Sequence, residues 1–599
     1  MRYDTHYRMT STPRSNKHLA IPAVIGLLCV GLLFAALAAS VNTKPYMPPN
    51  VAQKYMEEWL IESSRHVAGE VRLKHIQNIE PFYLHRDYQP VWMDSYELKP
   101  AAKELIQVLR ETAGDDWRNY GYALPTLERE TNRLSNVPKQ ATAVDILLTD
   151  AFITYAQQSL NSELIPDTGE LDHPIRKVSS EQPLSSITTE DVVRLLQKSV
   201  EDDNLDELLT QLTPNQPGYL KLREQLNRYR AIDATGLWEE LPADMQVSEG
   251  QRHKMMPYLR WVLGQYGDMP KGALSWLFKE KESHSQWPLE GEEINMEEPR
   301  FLFDEPLKEA VMHFQKRHKL EVTGELNDET RLQLNIPPYQ IAQRIALNMK
   351  RWRHLPRELG QRHIMVNMAD FRLRLMDGNT PTLDMKVVIG NLQRRTPVMS
   401  EMMSTIEISP TWTVPARIAA TSLLPQIKRN PAYLEQKGFR VITYQDGAPK
   451  YVSTKDINWN KYSSKYFPYT LVQQPGPHNA LGTVKFLFPN LQDIYLHDTS
   501  HRELFALEKR ALSSGCVRVE QPRLLAEKLL ARQTGWQRSN IDAAIDQNRT
   551  SRIRLEQPVP VYLMYWTTWV DDDGVLQVRE DVYQRDLTAG MASHRQASL

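Results

Sequence analysis

The chain has 599 residues, room for about three or four domains, and its 41% hydrophobic content with 13 tryptophans supports packed cores and excludes a disordered protein. Against 72 Lys and Arg stand 74 Asp and Glu, a formal net charge of -2, so the composition carries no electrostatic footprint for nucleic acid or an anionic lipid surface. The one dense basic cluster, Lys350-Arg351-Trp352-Arg353-His354, reads as the solvated face of a helix.

Residues 1–18 form a short tail containing Arg2, Arg8, Arg14 and Lys17, and 19–41 is an uncharged run of 23 residues. That run is long enough to span a bilayer, with the positive charge left on the cytoplasmic side and the rest of the chain outside. A cleavable signal peptide is the competing reading, with Ala36-Leu37-Ala38 as a small-residue cleavage site. The rest of the chain is therefore expected outside the cytoplasmic membrane, anchored by this run or released after its cleavage. Cys29, inside the run, is apolar filler.

From 48 to 266 the pattern is helical. Leu105, Val108 and Leu109 share a face, as do Ile146, Leu147, Phe152 and Tyr155, and proline joints at 138, 166, 183, 214 and 217 separate the helices. The aromatic stretch Phe82-Tyr83 to Trp92 invites comparison with a sugar platform, but core packing is the expected role. In 300–336, Leu307, Val311 and Phe314 fall at helical spacing, and Asn327 followed by Asp328 and Glu329 has the chemistry of a helix start. A small helical unit is predicted there.

Beyond about residue 340 the pattern turns strand-like, with runs at 363–367, 385–390 and 559–565. Between them, 416–470 changes to helix-like and then to polar, tyrosine-rich sequence, which suggests a capping insertion that works as a lid. Pro522 to Leu530 reads as an amphipathic helix.

Cys516 is the only cysteine outside the N-terminal apolar run. In an exported protein a lone thiol has no intramolecular disulfide partner, which leaves burial or nucleophilic chemistry as its reason. It sits in Ser513-Ser514-Gly515-Cys516-Val517-Arg518, a polar bend entering an apolar segment, with a nearby cation that would favour the thiolate. Nineteen residues earlier, Ile494-Tyr495-Leu496-His497-Asp498 reads as a strand ending at an imidazole. His501, four residues after His497, raises a zinc alternative, but Asp498 stands where a His-Glu-x-x-His motif has glutamate and a third ligand cluster is not evident. No metal or cofactor is expected.

The spacing His497, some fifteen residues, then Ser-Ser-Gly-Cys-Val-Arg resembles the signature of L,D-transpeptidases with a YkuD-type catalytic domain, although Ser514 occupies the position usually held by histidine. That departure also resembles the large YcbB-type members. Arg395-Thr396-Pro397, Trp412-x-Val414-Pro415, Asn479-Ala480-Leu481-Gly482 and Phe486-x-Phe488-Pro489-Asn490 extend the similarity across 340–590. The 300–336 segment likewise resembles a peptidoglycan-binding module, and the aromatic stretch a YcbB-type scaffold.

The resemblance implies a multidomain α+β protein: helical scaffold, small peptidoglycan-binding-like module, and β-rich catalytic domain with a helical capping insertion. It implies Cys516 as nucleophile and His497 as general base and acid, the imidazole being oriented by a backbone carbonyl. Gly515, Ser514 and Asp498 are expected to support the oxyanion and backbone. Arg518, Ser513, Asn479 and Trp412 are expected at the substrate, with Arg518 able instead to pair with an acidic neighbour. The implied partners are peptidoglycan tetrapeptide stems, the inner membrane and other wall-synthesis enzymes. A wall-directed thiol carboxypeptidase or amidase, and a non-catalytic wall-binding scaffold, are the competing readings.

Overall fold

The computed structural model describes residues 46–62, 66–67, 71–113, 123–161, 187–270 and 295–588. The expected tail, the 19–41 segment with Cys29, and the joints at Pro166 and Pro183 lie outside the described residues. Among the described residues no helix is long and apolar enough to cross a membrane.

The first layer is a helical body built around the 24-residue helix Pro138–Asn161, which begins at a proline where a missing N–H costs nothing. Helices Pro49–Glu57, Ile76–His85, Pro100–Ala113, Leu124–Asn132, Thr189–Glu201 and Leu205–Leu212 all touch it. Tyr83 and Trp92 are fully buried in this core. Their surroundings explain why: the carboxylate of Asp145, itself buried, accepts hydrogen bonds from the Val91, Trp92 and Met93 amides at 3.0, 2.7 and 2.9 Å and from the Tyr83 hydroxyl at 2.5 Å. The aromatic stretch is thus wrapped round a buried anion rather than offered to a ligand.

The 48–266 span divides between two cores. Apolar residues from Met47 to Leu212 share the first, whereas helices Pro217–Ala234 and Met256–Tyr266 bury Tyr219, Leu226, Tyr229 and Leu259 in a second. That second core also takes Phe303, Leu307, Val311, Phe314 and Leu326 from the small module and Tyr562, Met564 and Trp566 from the C-terminal sheet. The module has the expected helices, Glu305–His318 and Asp328–Leu334, and Asn327 caps the latter by accepting from the Thr330 amide at 2.9 Å. Backbone bonds stitch it to its neighbours: Phe303 N–H to the Gln251 carbonyl at 2.8 Å, and Leu326 N–H to Val247 at 2.9 Å. Arg317 makes a buried two-point contact with Asp268, at 2.7 and 2.8 Å, and its carbonyl accepts from Arg579 at 2.9 Å.

The basic cluster at 350–354 departs from its solvated-face reading. In helix Pro338–Arg353, Trp352 is buried and stacks on Trp566 at 4.3 Å, while Arg351 is buried against Asp586 at 2.8 Å. Charge composition alone does not reveal that a carboxylate from the far end of the chain waits in the core.

The C-terminal domain is a nine-stranded sheet: β1 Arg362–Asn367, β2 Arg372–Asp377, β3 Thr380–Gly390, β4 Met399–Ile408, β5 Val484–Leu487, β6 Leu496–His497, β7 Ala511–Ser513, β8 Val517–Val519 and β9 Ser551–Met564. Their order is β7-β3-β8-β6-β5-β4-β9-β1-β2, and β2 also pairs with β3, which closes eight strands into a ring. Alternation sorts the side chains. Val484, Phe486, Leu496, Val517 and Val519 point inward with the leucines of helix Pro522–Leu530. Their strand neighbours Lys485, His497 and Arg518 face out.

The insertion between β4 and β5 has its own core, with Val414, Leu424, Ile427, Phe439, Val441, Trp459 and Leu471. Its first part is helical, as expected, but the remainder is not. Strands Phe439–Gln445 and Ala448–Val452 form a hairpin, and Thr470–Gln473 and Trp412–Thr413 complete a four-stranded sheet. The two-residue turn Asp446-Gly447, both at positive φ, is the sequence signal for this hairpin.

Because the module completes a core shared with the barrel, deleting 298–334 is expected to lower the melting temperature of the C-terminal domain and its soluble yield. Phe314→Ala should cost about 3–5 kcal/mol. Calorimetry checks both; an unchanged C-terminal transition in the deletion would show that the module is an independent appendage.

Candidate active site

Parallel strands β6 and β8 bring the two halves of the sequence constellation together. Leu496 lies opposite Val517 and His497 opposite Arg518, so Cys516, one residue before β8, shares the outward face with Tyr495, His497 and Arg518. On the other side of β6, antiparallel β5 places Lys485 opposite His497.

His497 is buried and its Nδ1 donates to the Asp498 carbonyl at 2.5 Å. A carbonyl can only accept, so this contact assigns the tautomer: Nδ1 carries the proton and Nε2 keeps a lone pair. Burial above all, then the neighbouring Arg518 and Lys485 charges, push the imidazole down to about 3, against the opposing effect of the Asp498 contact. The ring is neutral at physiological pH.

Asp498 is itself clamped. One carboxylate oxygen accepts from the Thr483 amide and hydroxyl, both at 2.8 Å; the other accepts from the Thr499 amide at 2.7 Å and Arg502 at 2.8 Å. Such bonds to a charged acceptor are each worth about 1.5–3 kcal/mol. Gly482, at φ +61°, lies against this carboxylate so closely that an added Cβ would stand 2.3 Å from its carbon. Asp498 therefore holds the His497 imidazole through its carbonyl.

Cys516 is half-buried, and its thiol faces the Asp493 carbonyl at 3.5 Å. Burial pushes the thiol up from its ordinary value; the Tyr495 backbone and hydroxyl, and the Lys485 charge, act in the opposite direction. The expectation that Arg518 favours a resting thiolate gives way here to desolvation, and the site rests as neutral thiol beside neutral imidazole.

The turn before the thiol is braced from within. Ser513 Oγ accepts from the Gly515 amide at 3.1 Å and donates to the Cys516 carbonyl at 2.6 Å. The Gly515 N–H is thereby engaged, and that glycine serves the turn, at φ +124°. Thr396 Oγ1 donates to the Gly515 carbonyl at 2.6 Å, and Arg394 donates to Ser514 Oγ at 2.7 Å. Among the described residues the Cys516 amide has no hydrogen-bond partner, which leaves it free to meet a developing oxyanion.

Two expected substrate contacts have structural partners of their own. Asn479 is buried; its amide donates to the Pro410 and Gln474 carbonyls, both at 2.9 Å, and its oxygen accepts from Leu481 at 2.8 Å. Its hydrogen-bonding capacity holds the loop that returns from the insertion. Trp412 belongs to the insertion's sheet and packs near Phe439 at 6.3 Å. Arg518 does face the site, and its buried Nε has no hydrogen-bond partner among the described residues.

The chain after His497 is irregular before a short 3-10 turn at Arg502–Ala506, and exposed His501 lies 3.1 Å from Glu503. The two histidines do not share a helical face. Sequence reading overlooked Tyr495 and Lys485, although both are legible by alternation, since each is the outward residue beside an inward apolar one.

A closed β-barrel carrying an imidazole and a thiol on neighbouring outward strand positions defines the class of site. Residues 361–543 match the family described as "L,D-transpeptidase catalytic domain", 77–226 match "Scaffold domain", and 298–334 match "Putative peptidoglycan binding domain". A curated protein of Haemophilus influenzae (strain ATCC 51907 / DSM 11121 / KW20 / Rd), called "Putative L,D-transpeptidase", is 33% identical over 252 residues, 42% of this chain and 50% of that protein. The chain thus spans about half the length of the curated relative it matches. The chain carries the YkuD-type catalytic domain of the L,D-transpeptidases together with scaffold and peptidoglycan-binding domains.

The neutral pair fixes a pH dependence. Alkylation of Cys516 by iodoacetamide should rise continuously from about pH 6 to pH 9, because the thiolate fraction keeps growing. A plateau across the neutral range, the mark of a thiolate–imidazolium pair, would contradict the assignment.

Proposed function

We propose that this protein is an L,D-transpeptidase that joins peptidoglycan stems by 3-3 cross-links through a Cys516 acyl-enzyme. The observation that carries the reading is the His497 tautomer: with Nδ1 held by the Asp498 carbonyl, the basic Nε2 is left for the thiol on the next strand.

The thiol sulfur attacks the carbonyl of the third residue of a donor tetrapeptide while Nε2 takes its proton. Starting from neutral partners, charge appears only as the carbon–sulfur bond forms. The oxyanion meets the Cys516 amide. Collapse expels the terminal D-alanine, whose nitrogen receives the proton back from His497. The side-chain amine of a second stem then attacks the thioester and gives a proton to His497, which passes it to the departing Cys516 sulfur and so restores the thiol. Asp498, Gly482 and Thr483 act by positioning the base, and Ser513 and Thr396 by shaping the nucleophile's turn.

Transfer requires that an amine outcompete water at the thioester. The folded insertion, whose return loop reaches Asp498 through Gly482 and Thr483, supports a role as the cover that shelters the intermediate. In this reading 19–41 anchors the protein, or exports it, so that the site works on the periplasmic wall. The peptidoglycan-binding domain supports the same substrate.

With a tetrapeptide muropeptide and excess labelled D-amino acid, the protein should exchange the fourth residue. Cys516→Ala and Cys516→Ser should both abolish exchange while leaving the circular dichroism unchanged. Tripeptide and free D-alanine as the sole products would make the protein a carboxypeptidase. Gly482→Ala, which displaces Asp498, should lower kcat at least about tenfold with less change in KM, since a small misplacement of a base is costly. An unaltered kcat would remove the Asp498 clamp from the mechanism.

A further inference from the structure

Strand register sets a row of side chains across the outer face: Arg518 on β8, His497 on β6, Lys485 on β5, Glu407 on β4 and Arg552 on β9. Adjacent strands lie about 4.8 Å apart, so the backbones of Arg518 and Lys485 are roughly 10 Å from each other, with the neutral imidazole between them. Two cations so placed repel, and each is partly withdrawn from water.

Neither makes an ion pair among the described residues. The Lys485 ammonium sits 3.9 Å from the centroid of the Tyr495 ring and has no hydrogen bond or ion pair among the described residues. Glu407, next in the row, is buried and engaged by Arg552 at 2.7 Å. Asp493, the other acid that acts on Lys485, shows the thiol its backbone carbonyl. Arg518 has a buried Nε without a hydrogen-bond partner among the described residues, and the acid that acts on it, Glu503, is exposed and already lies against His501. Polar groups that are withdrawn from water and left without partners are costly unless a ligand completes them.

We propose that Lys485, together with Arg518, forms an anion seat beside Cys516 that takes a free carboxylate of the acyl-donor peptide. The two cations have different chemistries. Arg518 offers a planar fork suited to two-point contact, and Lys485 a point charge whose direction is set by the Tyr495 face. A donor whose carboxylates are amidated would forfeit this contact. The identity of the occupant rests on the transpeptidase reading; the seat itself rests on geometry.

The test uses the thiol as its own reporter. Iodoacetate and iodoacetamide alkylate the same sulfur, but only iodoacetate is an anion. On the full chain the seat raises the iodoacetate-to-iodoacetamide rate ratio above that of a free thiol. Lys485→Met should lower the ratio by about fivefold or more, and 0.5 M salt should lower the wild-type ratio in the same direction. Lys485→Arg, which keeps the charge, should retain most of it.

An unchanged ratio in Lys485→Met overturns the seat. So does an equal slowing by both reagents, which would mean that Lys485 only acidifies the thiol. Should Lys485→Met fail to fold by circular dichroism, the salt dependence of the wild-type ratio decides, and a salt-independent ratio overturns the proposal. A preserved anion preference in a protein that performs no stem exchange would leave the seat standing and remove the transpeptidase reading.

Discussion

The contact on which the site depends is the one between the His497 ring and the carbonyl of its own neighbour, Asp498. A backbone carbonyl is a weaker partner than a carboxylate, so it orients the imidazole while its pull toward the protonated form is outweighed by burial. It must therefore be held still by something else. The Asp498 side chain does that from the opposite side of the same residue, by accepting four bonds from Thr483, Thr499 and Arg502. One residue thus converts a charged clamp into an uncharged orienting group.

This arrangement explains the resting charge state. Burial raises the thiol and lowers the imidazole, which together disfavour a preformed ion pair. Arg518 and Lys485 on either side add to the penalty for protonating His497. They would also stabilise negative charge on sulfur once it develops, so the electrostatic support falls on the reacting state more than on the resting one.

Other parts of the chain pack against the barrel. The second core runs without interruption from Tyr219 through Phe314 to Trp566. Arg579, just after the two-stranded hairpin that follows the barrel's last strand, reaches the carbonyl of Arg317, which in turn grips Asp268. The small module is by this packing a wedge between the linking helices and the barrel, whatever its surface recognises. The insertion, in contrast, has a core of its own and joins the barrel where β4 ends and β5 begins, so its return loop carries both an autonomous fold and the contacts to Asp498.

The amino-acid sequence by itself determined the pairing of Cys516 with His497 as one candidate site, the helix after Cys516, the cap at Asn327 and the β-rich character of the C-terminal region, because these rest on local spacing, periodicity and residue chemistry. It also holds two further local signals, the Asp446-Gly447 turn of the hairpin and the outward alternation of Tyr495 and Lys485. Other features only the tertiary structure decided. Arg351 and Trp352 look solvated until Asp586 and Trp566, more than 200 residues away, arrive beside them. Asn479 looks like a ligand for substrate until Pro410 and Gln474 take up its amide. The carbonyl that orients His497 and the fate of the Gly515 amide depend on how a closed sheet folds its loops back upon themselves. Burial and partner choice are set by residues distant along the chain, and periodicity reports only which way a side chain points, not what it meets.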